Sequence, residues 1–254
     1  MDLGAFLVSQ ALLAGLVFAR LGAALMFLPG FGEQSIPARH RLLFGLALSA
    51  ALAPLVPIAP AQGLAESAPV VLLSMFAVEV TIGIWIGTTA RILFSALQFA
   101  GYQIGMVAGL SNAFAPGTGS FEGSTLIAGA LLMAGVALVF ATELHHLMIR
   151  ALLDSYALFP PGRLMLGDLA QQSVRAVAQS FYLGVSLAAP FYVLSLVLNL
   201  GMGLANRAMP SLPVFFVAAP ILIATGLLGL VAAGPAMLSG TMQALGDWLI
   251  GFSF

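Results

Sequence analysis

Glu143, His145 and His146 are the one place in this 254-residue chain where an acid and imidazoles crowd together. On a helix, Glu143 and His146 are three apart and share a face, and a Glu-x-x-His pair is half of a carboxylate-bridged metal site of the kind built inside helix bundles. The other half, a second such pair with further carboxylates, is missing, and so is the zinc signature His-Glu-x-x-His. The cluster is therefore expected to be a helix end at an interface, with its imidazoles reaching polar partners. Residue types remove other chemistries. No Gly-x-Ser-x-Gly elbow occurs, and all eight basic residues are arginine, so serine-elbow hydrolysis, Gly-Lys phosphate loops and lysine Schiff bases are excluded. Zero cysteine excludes disulfides, thiol catalysis, iron–sulfur clusters and cysteine zinc sites. A net charge of −1 and a pI near 6.3 leave no electrostatic footprint for nucleic acid. No enzyme activity, cofactor, metal or nucleic-acid partner is expected.

Glu79 and Arg91 are different candidates, because each lies inside an apolar run. A charge at bilayer depth costs several kcal/mol and usually faces a bundle interior or a water-filled path. Twelve residues separate the two, about 120° around an ideal helix, so they cannot pair with each other on one straight helix. Two readings stand: buried charges satisfied by neighbouring helices, or a site on an ion path.

The elements that must position these residues follow from composition. With 61% hydrophobic and 7% charged residues and a mean hydropathy of +1.09, the chain cannot wet a surface that in soluble domains takes roughly a quarter charged residues. Runs of about 17 or more apolar residues are candidate membrane helices, and six occur: Leu3–Leu28, Leu42–Ile58, Val70–Leu110, Thr125–Ile149, Val174–Leu200 and Val214–Leu238. Turn chemistry separates them, at Pro29-Gly30-Phe31-Gly32, at Pro54, Pro57 and Pro60, at Pro116-Gly117-Thr118-Gly119, at Pro160-Pro161-Gly162 and at Pro210 to Pro213. No alternating ten-residue pattern suggests a barrel, and no repeat or linker divides the chain. The expected fold is all-α and membrane-integral, a single domain over 1–254. The start, Met1-Asp2, lacks the basic region of a cleavable signal, so the first run is expected to be retained.

The third run is too long for one crossing. Its 41 residues would make a straight helix of about 60 Å, against a hydrocarbon thickness of about 30 Å. It must bend, fold back or project beyond the bilayer. With six straight spans the arginines split three against three. A hairpin turning near Arg91 gathers Arg39, Arg41, Arg91, Arg150, Arg163 and Arg175 against Arg207, which suits the positive-inside rule. Either that hairpin exists, or the protein does not sit in the bilayer like an ordinary multi-span protein.

Small residues mark contacts. Gly83 and Gly87, then Gly101, Gly105 and Gly109, recur every four positions, a spacing that stacks glycines on one helix face and lets backbones approach within the chain or between subunits. The segment Gly109-Leu110-Ser111-Asn112-Ala113-Phe114-Ala115-Pro116-Gly117-Thr118-Gly119 breaks a helix into a glycine-rich loop with one bulky aromatic. Non-helical backbone at membrane depth is tolerated where protein or a water-filled cavity surrounds it, so the loop is either a pore constriction or an exposed turn.

Taken in order, several of these motifs resemble the flagellar biosynthesis protein FliR family, whose injectisome counterparts are the T-type export-gate subunits. The resemblance runs from Arg20-Leu21-Gly22-Ala23-Ala24 through Pro29-Gly30-Phe31-Gly32 and Ile36-Pro37-Ala38-Arg39. It continues through Glu79, Ile82-Gly83, Ile86-Gly87, Arg91, Gly101, Gly105-Met106 and Gly109-Leu110-Ser111 to Asp154-Ser155-Tyr156, Leu187-Ala188-Ala189-Pro190, Asn199-Leu200-Gly201, Arg207-Ala208, Phe215-Phe216-Val217 and Pro220. Ala115 departs from it where the family often has an acid before the proline, Leu212-Pro213 stands where an asparagine is usual, and Thr142-Glu143-Leu144-His145 replaces a more usual Asn-Gly-His. The resemblance implies a non-enzymatic subunit of the type III export gate, assembled with FliP- and FliQ-type subunits and contacted by an FlhB-type subunit. It also implies bent helical hairpins, an inner-membrane location at the flagellar basal body with part of the assembly lifted toward the periplasm, and unfolded flagellar proteins as cargo. The plug loop that the family places across the closed channel matches Gly109 to Gly119. An injectisome-type subunit and a self-contained secondary transporter are the rival readings; the second would need paired charges in two corresponding halves, which are not seen.

Overall fold

The computed structural model describes residues 3–56, 68–109, 122–209 and 214–251, and among them every regular element is helical. They are α1 (Leu3–Leu25), α2 (Ala38–Leu52) followed by a 3-10 turn (Ala53–Leu55), α3 (Pro69–Val107), α4 (Glu122–Ala141), α5 (Leu144–Leu158), α6 (Leu166–Ala208) and α7 (Val214–Ile250). The all-α expectation holds, while the number of spans differs from six.

Two of the six runs change. The run from Leu42 yields only the 15-residue α2, because Pro54 converts its end into a 3-10 turn. At 1.5 Å per residue α2 is about 22 Å long, too short to cross. The run Thr125–Ile149 is not one helix either. Thr142 and Glu143 interrupt it, Glu143 takes the left-handed conformation (φ 60°), and α4 and α5 meet at 74°. Among the described residues four helices are long and apolar enough to cross a membrane, and five crossings result if the bent pair is one broken span.

The hairpin near Arg91 is overturned. Helix α3 is continuous over 39 residues, with no proline after its first position and its glycines placed where neighbours press against them. The long-projection reading of the third run is the one that survives. Helix α6 likewise extends past its apolar run at both ends to 43 residues, through Pro190, and α7 reaches 37 residues through Pro220 and Pro235.

The chain divides into two compact units. The first comprises Met1–Ile92, Val139–Ala176 and Leu245–Phe254; its core includes Leu16, Leu21, Leu25, Ile82, Ile86, Met148 and Leu152, together with the buried Arg20 and Glu79. The second comprises Leu93–Leu138 and Val177–Ala244. Its core carries no charge; it is built on Leu97, Ala100, Ile104, Ile127, Leu131, Phe191 and Met237, with Ser180, Ser195 and Thr241 as its buried polar side chains.

Candidate functional site: a buried arginine–glutamate node

Glu79, Gly83 and Gly87 recur every four residues on α3, so they form a stripe that drifts by about 40° per step. On α1, Arg20 and Ala24 have the same spacing. The two stripes meet. A Cβ on Gly83 would run into the Arg20 carbonyl oxygen, and one on Gly87 would stand 2.5 Å from the Ala24 carbonyl. Only glycine allows this approach. These two glycines of the expected contact set therefore serve packing within the chain, and they bring the neighbouring Glu79 to α1.

Arg20 receives it. The guanidinium donates from Nε to Glu79 Oε2 (2.7 Å) and from Nη2 to Glu79 Oε1 (3.1 Å), with both side chains fully buried. It also donates from Nη1 to Ser155 Oγ (3.1 Å) and from Nη2 to the Phe159 carbonyl (2.8 Å). Its flat face lies 3.8 Å from the centre of the Tyr156 ring. Phe159 caps the C-terminus of α5, where the negative end of the helix dipole favours a cation. Ser155 in turn donates to the Leu152 carbonyl at 2.6 Å. The bonds engage four of the five guanidinium donors and tie α1, α3 and α5 together at one point. Trp85, on the same stretch of α3, donates to the Leu169 carbonyl (3.1 Å) and Ser173 Oγ (2.9 Å), which attaches the start of α6. Chemically the node is closed: Arg20, Glu79 and Ser155 hold one another, and the Tyr156 hydroxyl is buried without a hydrogen-bond partner among the described residues, so no nucleophile faces open space.

Arg91 sits three steps further along the stripe, where the drift has carried it to about 120° from Glu79. It reaches Glu33 at 3.2 and 3.3 Å and the Phe27 carbonyl at 3.4 Å. Its side chain is 37% exposed and that of Glu33 19%. Arg91 is thus not a buried charge like Glu79. It braces the α1–α2 turn, in which Gly30 takes a positive φ of 85° and donates to Glu33 Oε1 at 3.4 Å. The sequence reading missed Arg20 and Glu33 as partners, although Arg20 was signalled: a buried acid needs a cation, and Arg20 is the charge that interrupts the first apolar run.

Of the remaining glycines, Gly101 packs against α4, where an added Cβ would stand 2.5 Å from Ala128 Cα, and Gly105 is buried. Gly109, in the turn just past α3, takes φ 68°, with Leu222 against it. The rest of the expected plug, Leu110, Ser111, Asn112, Ala113, Phe114, Ala115, Pro116 and Gly117, lies outside the described residues. Glu143 sits at the α4–α5 break, and His145 and His146 follow with ring centres 4.1 Å apart. Among the described residues no group of three metal-ligating side chains forms.

Comparison with known proteins covers nearly the whole chain. Residues 11–247 match the family described as bacterial export proteins, family 1. The chain is 46% identical over 238 residues to the flagellar biosynthetic protein FliR of Caulobacter vibrioides, covering 90% of this chain and 91% of that one. It is 30% identical to the protein of the same name from Escherichia coli, over 85% and 82% of the two chains. It is also similar to the secretion system apparatus protein SsaT of Salmonella typhimurium, at 28% over 62% of this chain and 61% of that one.

Proposed function

Since the chain belongs to the bacterial export proteins, family 1, we propose that it is a subunit of the flagellar type III protein export gate and shares in forming the channel for unfolded flagellar proteins. The observation that carries this reading is the family match over residues 11–247, which crosses both structural units and supports one functional domain over 1–254. The injectisome-type alternative is weaker, since the apparatus protein it rests on is 28% identical over 62% of the chain, against 46% over 90% for the flagellar relative.

The protein is membrane-embedded, with at least four helices long and apolar enough to cross. Its partners in this reading are FliP- and FliQ-type subunits, with an FlhB-type subunit in contact, and its role is structural, without catalysis or cofactor. If α1, α3, the α4–α5 pair, α6 and α7 each cross once, Arg39, Arg41 and Arg163 fall on one side, with Arg150 and Arg175 in the adjoining helix ends, and Arg207 falls on the other. Five against one favours the first side as cytoplasmic without any hairpin in α3. The membrane would be the bacterial inner membrane, with the long helices carrying part of the assembly toward the periplasm.

Helices with so much exposed apolar surface, such as Val193, Leu196, Val197 and Leu200 on α6, need lipid or other subunits around them. Purification in mild detergent tests the assignment: P-type and Q-type subunits should co-purify with this chain, and a stable, monodisperse monomer without them would overturn it. The plug role of Gly109 to Gly117, with Phe114 as stopper, is tested separately by deleting Asn112–Ala115 and measuring ion conductance of the intact gate in planar bilayers. A hydrophobic constriction excludes ions by dewetting, so the deletion should leak, and a tight deletion variant in an intact complex would remove the plug assignment alone.

A further inference from the structure

The first unit holds a cavity of about 190 Å³, lined by Leu25, Phe31, Ile36, His40, Arg41 and Phe44. Four of the six side chains are apolar. The pocket is partly open, with Phe44 at its exposed edge, so a hydrocarbon segment seated in it would remove apolar wall from water, the favourable direction.

The remaining two side chains are basic, and Arg39 stands exposed beside them. Among the described residues none of Arg39, His40 and Arg41 has a carboxylate partner. Arg41 donates from Nη2 to the Ile36 carbonyl (3.1 Å) and rests Nη1 against Met26 Sδ (3.9 Å). Its Nε is buried with no acceptor among the described residues. A buried N–H left unpaired is costly, and an anionic oxygen would satisfy it. These three residues also occupy the first turn of α2, whose Pro37 cap supplies no side-chain acceptor; the His40 and Arg41 N–H groups donate to the Pro37 carbonyl, which leaves the earlier N–H groups of the turn and the helix dipole to favour an anion at the same end. Beyond them Leu42, Leu43 and Leu46 leave α2 apolar and exposed.

We propose that this cavity binds an anionic phospholipid. Its phosphate lies against Arg41, with Arg39 adding charge and the His40 imidazole a hydrogen-bonding edge, and the first methylenes of one acyl chain fill the space between Leu25, Phe31, Ile36 and Phe44. A zwitterionic lipid lacks the net charge the cluster calls for, and free phosphate lacks the chain the walls call for. Basic pockets beside membrane helices recognise anionic headgroups on these terms.

The test uses the full chain purified with the other gate subunits and carrying Phe44→Trp, which puts a fluorophore in the cavity wall. Phosphatidylglycerol and phosphatidylethanolamine, each brominated on its acyl chains, are titrated in as quenchers, with the unsubstituted protein as background for Trp85 and Trp248. Phosphatidylglycerol should quench at lower concentration. Adding Arg41→Gln should raise the concentration it needs about five-fold, the loss of one interfacial arginine, and leave phosphatidylethanolamine unchanged. Arg39→Gln, at an exposed position without a partner, should act in the same direction and guards against a misfolded Arg41 variant. Equal quenching by the two lipids would overturn the proposal. So would displacement of phosphatidylglycerol by inorganic phosphate, which would make it a free-anion site. No quenching by either lipid in the assembled gate would also overturn it, because an acidic segment of a partner subunit would then cover the cavity.

Discussion

Helix α3 is held by opposite means along its length. From Glu79 to Gly87, in the first unit, it meets α1 through a charged node, in which Arg20 binds Glu79 twice and reaches Ser155 and the end of α5. From Leu97 to Ala108, in the second unit, it is set among Ile127, Leu131, Ala188, Phe191 and Met237, with no charge in the core. Glycine makes contact in both places, Gly83 on Arg20 and Gly101 on Ala128. Apolar packing alone tolerates sliding by a turn, because one leucine-lined groove resembles the next. A buried bidentate pair does not, since a slip would leave two charges unsatisfied. The difference teaches that the first unit has its helix register set by electrostatics, and the second by close small-residue packing.

The largest effect should come from breaking the node on one side. Arg20→Leu leaves Glu79 buried without its cation and should destabilise the protein by about 3–5 kcal/mol, read as lost yield and a lowered thermal midpoint of the purified gate. The double variant Arg20→Met with Glu79→Leu removes both charges and should recover most of that loss. If the double variant is as unstable as the single one, the node does more than balance two charges, and the comparison fails.

Next come the glycines. Gly83→Ala and Gly101→Ala both push a methyl group into backbone, at the Arg20 carbonyl and at Ala128 Cα. Each should cost about 1–3 kcal/mol. Gly83→Ala should also weaken the node, so combining it with Arg20→Leu should cost less than the sum, whereas Gly101→Ala with Arg20→Leu should add. Additivity in both pairs would sever the link between close approach and the ion pair.

Arg91→Leu should matter less than Arg20→Leu. Its pair with Glu33 is partly exposed, which places it near the surface-pair range of at most about 1 kcal/mol. Motility and complex yield of Arg91→Leu should fall between those of Arg20→Leu and Arg163→Leu; Arg163 lies in the Pro160–Gly162 turn, with its backbone N–H on the Pro160 carbonyl. A loss equal to that of Arg20→Leu would show the α1–α2 turn to be as critical as the node. The smallest change should be Gly129→Ala, where an added Cβ meets nothing within 4 Å. It should raise the midpoint slightly, by up to about 1 kcal/mol of helix preference, and a marked fall would mean that its face is covered in the assembly.

Composition and apolar run length determined that this chain is helical and membrane-embedded, because a bilayer admits few other solutions. The order of small motifs determined the family, and the four-residue glycine spacing marked where helices touch. Tertiary structure decided the rest. Glu79 is buried and Arg91 is not, because the contact stripe on α3 drifts by about 40° every four residues and only the α1 side closes over it. Arg20 became the partner of Glu79 across 59 residues of chain, a pairing that depends on two helices crossing at Gly83 and that hydropathy does not encode. The break at Glu143 was equally hidden, since Glu143 takes a left-handed backbone with no proline or glycine there to mark it.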